Sequence, residues 1–386
     1  MFVTDSVKYI GVDDKDIDLF ESQYVVPEGV SYNSYVVMDE KITVMDTVDA
    51  RATEEWVSNL KEVLGDKQPE YLVISHLEPD HAANIQRIAE MYPGMKLVGN
   101  AKTFQMLPQF FDFDLTGRTV TVKEGDELSI GSHTLQFFMA PMVHWPEVMV
   151  TYEKSEKVLF SADGFGKFGA VNSDEEDDDW ACEARRYYFN IVGKYGAQVQ
   201  ALLKKAAGLD IEIICPLHGP VLKEDLGYYI NKYDVWSSYE PEDKGVLVAY
   251  ASIHGNTAKA AKACAEMFEN KGVEKLELFD LSRDDMAEAI EAAFRYDRMV
   301  LASATYDGGL FPVMEDFLAH LKSKNYQKRK VALIENGSWA PVAAKKMADM
   351  LESMKNIEIC EKRASIKSVM KEADKAAIEE IVNAML

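Results

Sequence analysis

Cysteine is scarce in this chain: Cys182, Cys215, Cys264 and Cys360 stand far apart and form no CxxC pair. That spacing excludes a thiolate cluster and a disulfide framework, and it suits a reducing cytoplasm. Positive charge is in the minority, with 42 Lys and Arg against 65 Asp and Glu and a formal net charge of -23. Such a chain is repelled by nucleic acid phosphates and by anionic membranes. No run approaches the roughly 18 apolar residues of a membrane span. The N-terminal text MFVTDSVKYIGVDDKDIDLF has acids where a secretory signal needs a basic start and an apolar core. These absences lead to the expectation of a cytoplasmic protein that binds neither nucleic acid nor membrane.

What is present is enough material for two cores. The chain has 386 residues, 47% hydrophobic and 10% aromatic, against roughly 150 residues for an average domain. Around residues 236–244 the text WSSYEPEDK interrupts the hydrophobic pattern with Ser, Pro and charges, as a linker does. This places domains at residues 1–243 and 244–386. The first contains short β-like runs such as YLVIS, KLVGN, HTLQFFMA, EVMVTY, KVLFSAD and IEIICPLHG, with helical spacing between some of them. Layered α and β is expected, with sheets facing each other and helices outside. The second alternates strand and helix five times, ending in a short strand and a last helix. Its strands are nearly continuous in apolar residues, the pattern of a doubly wound parallel sheet. The acidic run SDEEDDD, Ser173 to Asp179, reads as a solvated loop.

In the second half, YASIHGNT joins the first strand to the first helix. Ser252, Asn256 and Thr257 put side-chain donors on a turn through Gly255, and N–H groups of a helix start favour an anion. Neither GK[ST] nor GxGxxG is present, so a monophosphate fits better than a triphosphate or dinucleotide. Two further strand ends, ASATYDGGLF and ENGSWAP, offer Tyr306 and Trp339 beside small residues. A flat heterocycle could stack on either ring while backbone groups bond its edge.

In the first half, SHLEPDHAAN follows the strand YLVIS. His76, Glu78 and Asp80 alternate, and an extended segment turns alternate side chains to one side, with Pro79 holding the preceding residue extended. His81 lies close behind. His144, Asp163 and His218 each follow another apolar strand. Singly each reads as an ordinary polar residue or turn; jointly, seven ligand-type residues exceed what one metal needs. Two metals bridged by a carboxylate is the economical reading.

The three loops of the second half resemble those of the flavodoxin family. The resemblance implies that Ser252, His254, Gly255, Asn256 and Thr257 hold the phosphate of FMN. It places Thr305, Tyr306, Asp307, Gly308 and Gly309 on one side of the isoalloxazine, with Asn336, Gly337, Ser338 and Trp339 on the other. The series HxExDH, then His, Asp and His, resembles the metallo-β-lactamase superfamily, except that Glu78 stands where its hydrolases have histidine. A hard anionic oxygen in place of nitrogen shifts such a site from zinc toward iron.

The combination is similar to the flavodiiron proteins: a metallo-β-lactamase-like αββα sandwich followed by a flavodoxin-like doubly wound parallel five-stranded sheet. This resemblance implies one iron on His76, Glu78, His144 and Asp163, and a second on Asp80, His81, Asp163 and His218, with Asp163 as bridge. It leaves His81 open, because the matching residue does not ligate in every member. Many members have a histidine near the segment that here reads Glu21, Ser22, Gln23, Tyr24. Trp145 and Tyr188 are candidates for the pocket wall, with plain core packing as the alternative.

The implied activity is reduction of O2 to water, of NO to N2O, or both. Electrons would be relayed by FMN from rubredoxin or, in the minority case, a reduced deazaflavin. The implied assembly is a head-to-tail homodimer or a dimer of dimers. A zinc-dependent hydrolase with a flavodoxin-like appendage is the competing reading.

Overall fold

A computed structural model describes residues 1–171 and 179–386. The SDEEDDD run, apart from Asp179, lies outside the described residues. The chain divides into two compact units: Met1–Tyr187 with Ala197–Tyr233, and Tyr188–Gly196 with Asp234–Leu386. Between residues 236 and 244 the chain leaves the helix Leu226–Ser237 and enters the strand Asp243–Ala251. No helix among the described residues is long and apolar enough to cross a membrane.

The first unit holds two main sheets. One has six strands in the order Val7–Tyr9, Tyr35–Val37, Thr43–Met45, Tyr71–Val73, Lys96–Asn100, Thr119–Val122. The other has five, in chain order from Glu127–Ser129 through Thr134–Met139, Met149–Glu153 and Val158–Phe160 to Ile213–Cys215. Each strand turns alternate side chains inward. Val37, Met45, Val73 and Val98 of the first sheet therefore share a core with Leu135, Phe137, Met149 and Phe160 of the second. The helix Thr53–Leu64 buries Trp56, Val57, Leu60 and Leu64 at helical spacing. This is the expected sandwich, and the ligand-type residues lie just beyond strand ends.

The second unit holds a parallel sheet in the order Leu276–Asp280, Asp243–Ala251, Tyr296–Tyr306, Gln327–Asn336, Lys355–Ile366. This is the 2-1-3-4-5 order, whose chain reversal opens a crevice beyond the carboxyl ends of the first and third strands. Val246, Val248, Val300 and Ile334 meet Cys264, Phe268, Ile378 and Val382 of the helices Asn256–Asn270 and Glu372–Met385. The final strand, expected to be short, runs 12 residues. It is an edge strand with mostly exposed residues, so it lacks the continuous apolar signal of its neighbours.

Candidate metal centre and ring-binding cleft

The strand Tyr71–Val73 leads directly to His76, which is fully buried. Glu78 is extended, with φ -59° and ψ 137°, and precedes the short helix Pro79–Ala82. The expectation of one extended segment therefore holds for His76 and Glu78 and fails for Asp80. Proline favours the first position of a helix as readily as an extended neighbour. That single turn of helix sends Asp80 and His81 to a different place from Glu78.

Two groups of donors result, His76 with Glu78, His144 and Asp163, and Asp80 with His81 and His218. In the first, Glu78 Oε2 lies 3.1 Å from His76 Nε2 and 2.9 Å from His144 Nε2. In the second, His81 Nε2 and His218 Nε2 are 3.1 Å apart, and each is 3.3 Å from Asp80 Oδ2. Asp163 spans both. Its Oδ2 is 3.4 Å from His76 Nε2 and His144 Nε2, while its Oδ1 is 3.2 Å from His81 Nε2 and 4.0 Å from His218 Nε2.

This donor set fits two metal ions. Metal–ligand bonds of roughly 2.0–2.2 Å put two ligands of one ion about 3 Å apart, the spacing within each group. Asp80 Oδ1 and both Asp163 oxygens are buried without a hydrogen-bond partner of good geometry. Buried carboxylates in that condition are costly unless a cation takes them up. His81, whose ring nitrogen faces His218 and Asp163, points into the second group.

Further residues orient the ligands. His76 Nδ1 pairs with Glu147 Oε1 at 2.8 Å, and Glu147 Oε1 also accepts the Leu77 N–H. His218 Nδ1 donates to the Ser31 carbonyl at 2.7 Å. Such partners fix the ring and direct Nε2 to the metal. Glu147 was missed from sequence although it stands three residues after His144.

Charge follows the same geometry. Burial works against a charged His76, yet Asp163 and the bonds to Glu147 and Glu78 hold its imidazolium well above the ordinary range. Despite burial, His144 is pushed up to about 9 by Asp163 and Glu78. Glu78 and Asp163 are held low by these imidazoles against the effect of their own burial. In the metal-free protein protons thus stand in for cations.

Aromatic rings close the centre. Trp145 lies edge-on 5.1 Å from the His76 ring, and Phe20 and Tyr187 each lie 5.4 Å from His218. Tyr188, expected at the pocket, instead packs in the second unit against Phe189 and Trp236. One residue along a helix rotates the side chain by about 100°, which gives Tyr187 the place proposed for Tyr188. A cavity of about 300 Å³ lies beside Glu78 and Asp80, lined also by Phe20, Glu21 and Tyr32. Glu21 and Ser22 both adopt left-handed backbone, φ 49° and 58°, an arrangement that costs free energy and turns Glu21 to this cavity. Poor solvation there and, next, the Glu78 charge push its carboxyl up to about 7.

In the second unit a cleft of about 610 Å³ opens at the carboxyl ends of the strands. His254, Asn256, Thr257, Thr305, Tyr306, Asp307, Gly308, Asn336, Gly337, Ser338 and Trp339 line it, as do Ile253, Ala304, Ala340 and Ser368. Ser252, Gly255 and Gly309 support the wall without lining it. Ser252 Oγ accepts the Gly255 N–H at 3.1 Å, and Gly309 pairs back on Tyr306. Gly255, with φ 83°, enters the helix Asn256–Asn270, whose start has no side-chain cap, leaving its N–H groups for an anion. Asp307 and Gly308, φ 48° and 68°, form a two-residue hairpin turn. Trp339 is 83% exposed and Tyr306 43%, so both rings present faces at the cleft for a flat ligand to cover. Ser368, missed from sequence, bonds Asn336 through its backbone and Ser338 through its hydroxyl. The cleft thus fits a phosphate-bearing planar ring.

A dinuclear histidine–carboxylate centre on a two-sheet sandwich, together with a flavin-type cleft on a 2-1-3-4-5 sheet, defines a two-domain metalloflavoprotein. Residues 30–219 match a family model described as ODP family beta lactamase. The nitric oxide reductase of Moorella thermoacetica is 30% identical over 367 residues, 92% of this chain and 90% of that protein. The rubredoxin oxygen:oxidoreductase of Desulfovibrio gigas superposes with a TM-score of 0.92 at 26% identity, over 100% of this chain and 97% of that one. The flavodiiron protein of Giardia intestinalis does so with a TM-score of 0.90 at 25% identity, over 100% and 96% respectively. The chain belongs to the flavodiiron protein family.

Proposed function

We infer that this protein is an oxidoreductase that reduces O2, NO or both, using two irons and FMN. The observation that supports this most is Asp163, whose two oxygens face two separate donor groups, with Glu78 adding an anionic oxygen to one of them. When bound, the irons and the flavin together supply the four electrons that take O2 to two waters, or the two that take two NO to N2O. We assign His76, Glu78, His144 and Asp163 to one iron, and Asp80, His81, Asp163 and His218 to the other. The three-loop residues given above, from Ser252 to Trp339, are our FMN set. Residues 1–243 form the diiron domain and 244–386 the FMN-binding domain in this reading.

The chain's own residues do the rest. Glu147 and the Ser31 carbonyl hold the His76 and His218 rings with Nε2 inward. Phe20, Trp145 and Tyr187 wall the centre with apolar ring surface, suited to a small neutral gas. Rubredoxin, named in the gigas relative, is our choice of electron donor. We place the protein in the cytoplasm, where its four cysteines, none in a disulfide among the described residues, remain reduced. We propose a head-to-tail homodimer, or a dimer of such dimers, in which one chain's flavin serves its partner's irons. Dilution to monomer then abolishes turnover while both cofactors stay bound.

Anaerobic stopped-flow mixing of fully reduced protein with O2 and with NO tests the activity. Reoxidation of flavin and irons by at least one gas is expected; inertness to both would overturn it. Metal analysis separates the hydrolase reading, which requires two zinc ions and no iron.

A further inference from the structure

A second cavity, of about 30 Å³, lies in the first unit behind the metal ligands. Val143, which precedes His144, and Gly164, which follows Asp163, form part of its wall. The opposite wall is the helix Gly196–Ala206, through Leu203 and Ala206, both half-buried. The chamber therefore sits between the outer surface of this unit and the backbone that carries two ligands.

Three lining residues bear polar side-chain atoms, and all of these are engaged elsewhere. Ser161 Oγ donates to the Gly164 carbonyl at 2.7 Å, and the Tyr233 hydroxyl accepts the Phe165 N–H at 2.6 Å. Lys205 Nζ donates to Glu124 and to the Met139 carbonyl. One water needs roughly 10–15 Å³ and two to four polar partners. The space is sufficient and the partners are not provided, so water gains little there. A neutral diatomic molecule, which forms no strong hydrogen bonds, loses nothing by entering and leaves water behind.

We propose that this cavity is a dry chamber that takes up the diatomic gas beside the metal centre and raises its local concentration there. The proposal rests on the gas-reductase reading for its occupant, and on the wall chemistry alone for its dryness.

Crystals of the iron- and flavin-loaded enzyme pressurised with krypton, a neutral atom of similar size, test the dryness. Krypton density in the cavity is expected; ordered water in its place would overturn the proposal. Ala206→Phe fills the space from the helix side, far from the ligands in sequence. It should abolish krypton binding and raise the KM for the gas several-fold, with kcat and the iron and flavin contents unchanged. A filled cavity with an unchanged KM would overturn the delivery role. If Ala206→Phe fails to fold, Ala206→Val should give a smaller shift in the same direction. Krypton bound by a protein inert to O2 and NO would sink the gas-reductase reading and the delivery role together. An active enzyme that excludes krypton would sink the chamber alone.

Discussion

The metal centre and the ring cleft are built by opposite means. Every donor of the metal centre is a side chain, buried or half-buried, on a segment that follows a strand, and two of them, His76 and His218, are held by a second buried partner. The cleft is built from loop backbone, small residues and two exposed aromatic rings. An ion demands particular atoms at particular distances, whereas a ring demands a slot and a phosphate demands N–H groups. Substitutions should therefore be severe and local at the centre, and graded at the cleft.

The severest test of that contrast is Asp163→Asn. Asp163 faces both donor groups, so its loss should cost more than the roughly 10–100-fold in metal affinity that outer partners cost. Iron content should fall toward zero and gas turnover should vanish, while FMN stays at one per chain. Loss of flavin together with iron, read from visible absorbance and metal analysis, would show that the two sites do not behave independently.

A pH comparison comes next. In metal-free protein the His144 imidazole is raised from an ordinary 6.5 to about 9. Its contribution to stability is fully present below about 6.5 and is lost as pH rises toward 9. The depressed Glu78 and Asp163 contribute in the other direction, above the ordinary carboxylate range, and lose that contribution in acid. Iron-loaded protein has no imidazolium to lose, and alkaline pH removes the protons that compete with the metal. Unfolding free energies of chelated protein should therefore fall between pH 6.5 and 9, by an amount on the order of a few kcal/mol. Those of loaded protein should hold or rise, and parallel curves would show that protons do not stand in for cations at this centre.

Glu147→Gln probes the support rather than the ligand. It removes the carboxylate that holds His76 while keeping a hydrogen-bonding group of equal size. Iron affinity should drop about 10–100-fold, measured by competition with a chelator of known strength, and FMN affinity should not move.

The same contrast explains what could be read in advance. His76, Glu78, His144, Asp163 and His218 were legible because histidines and acids just past apolar strands have few other uses in such a pattern. The single turn of helix at Pro79 was not, since proline before Asp80 is compatible with extension or with a helix start. Tyr187 and Tyr188 are adjacent and chemically identical, and only the helix phase, which a sequence does not fix to one residue, separates them. Glu147 and Ser31 act on ligands from other strands, so nothing nearby in the chain marks them. In the second half the loop positions were legible from strand alternation. Ser368 was not, because it comes to the cleft after an edge strand whose exposed residues carry little periodic signal.

The smallest effect is expected at the cleft, from Trp339→Ala. With 83% of its surface exposed, Trp339 has few protein contacts to lose, so stability should hardly change. A stacked aromatic contact contributes about 0.5–1.5 kcal/mol beyond its area, so FMN affinity should weaken roughly 2–10-fold. Tyr306→Ala should act similarly but cost slightly more stability, since Tyr306 also packs edge-on against Phe311 at 5.6 Å. Fluorescence titration of flavin-free protein with FMN measures both, and iron content should remain at two per chain. A loss of FMN binding as complete as the loss of iron in Asp163→Asn would mean that one side chain, and not the set of three loops, holds the flavin. A graded loss would show that backbone and phosphate contacts sustain binding when a stacking face is removed.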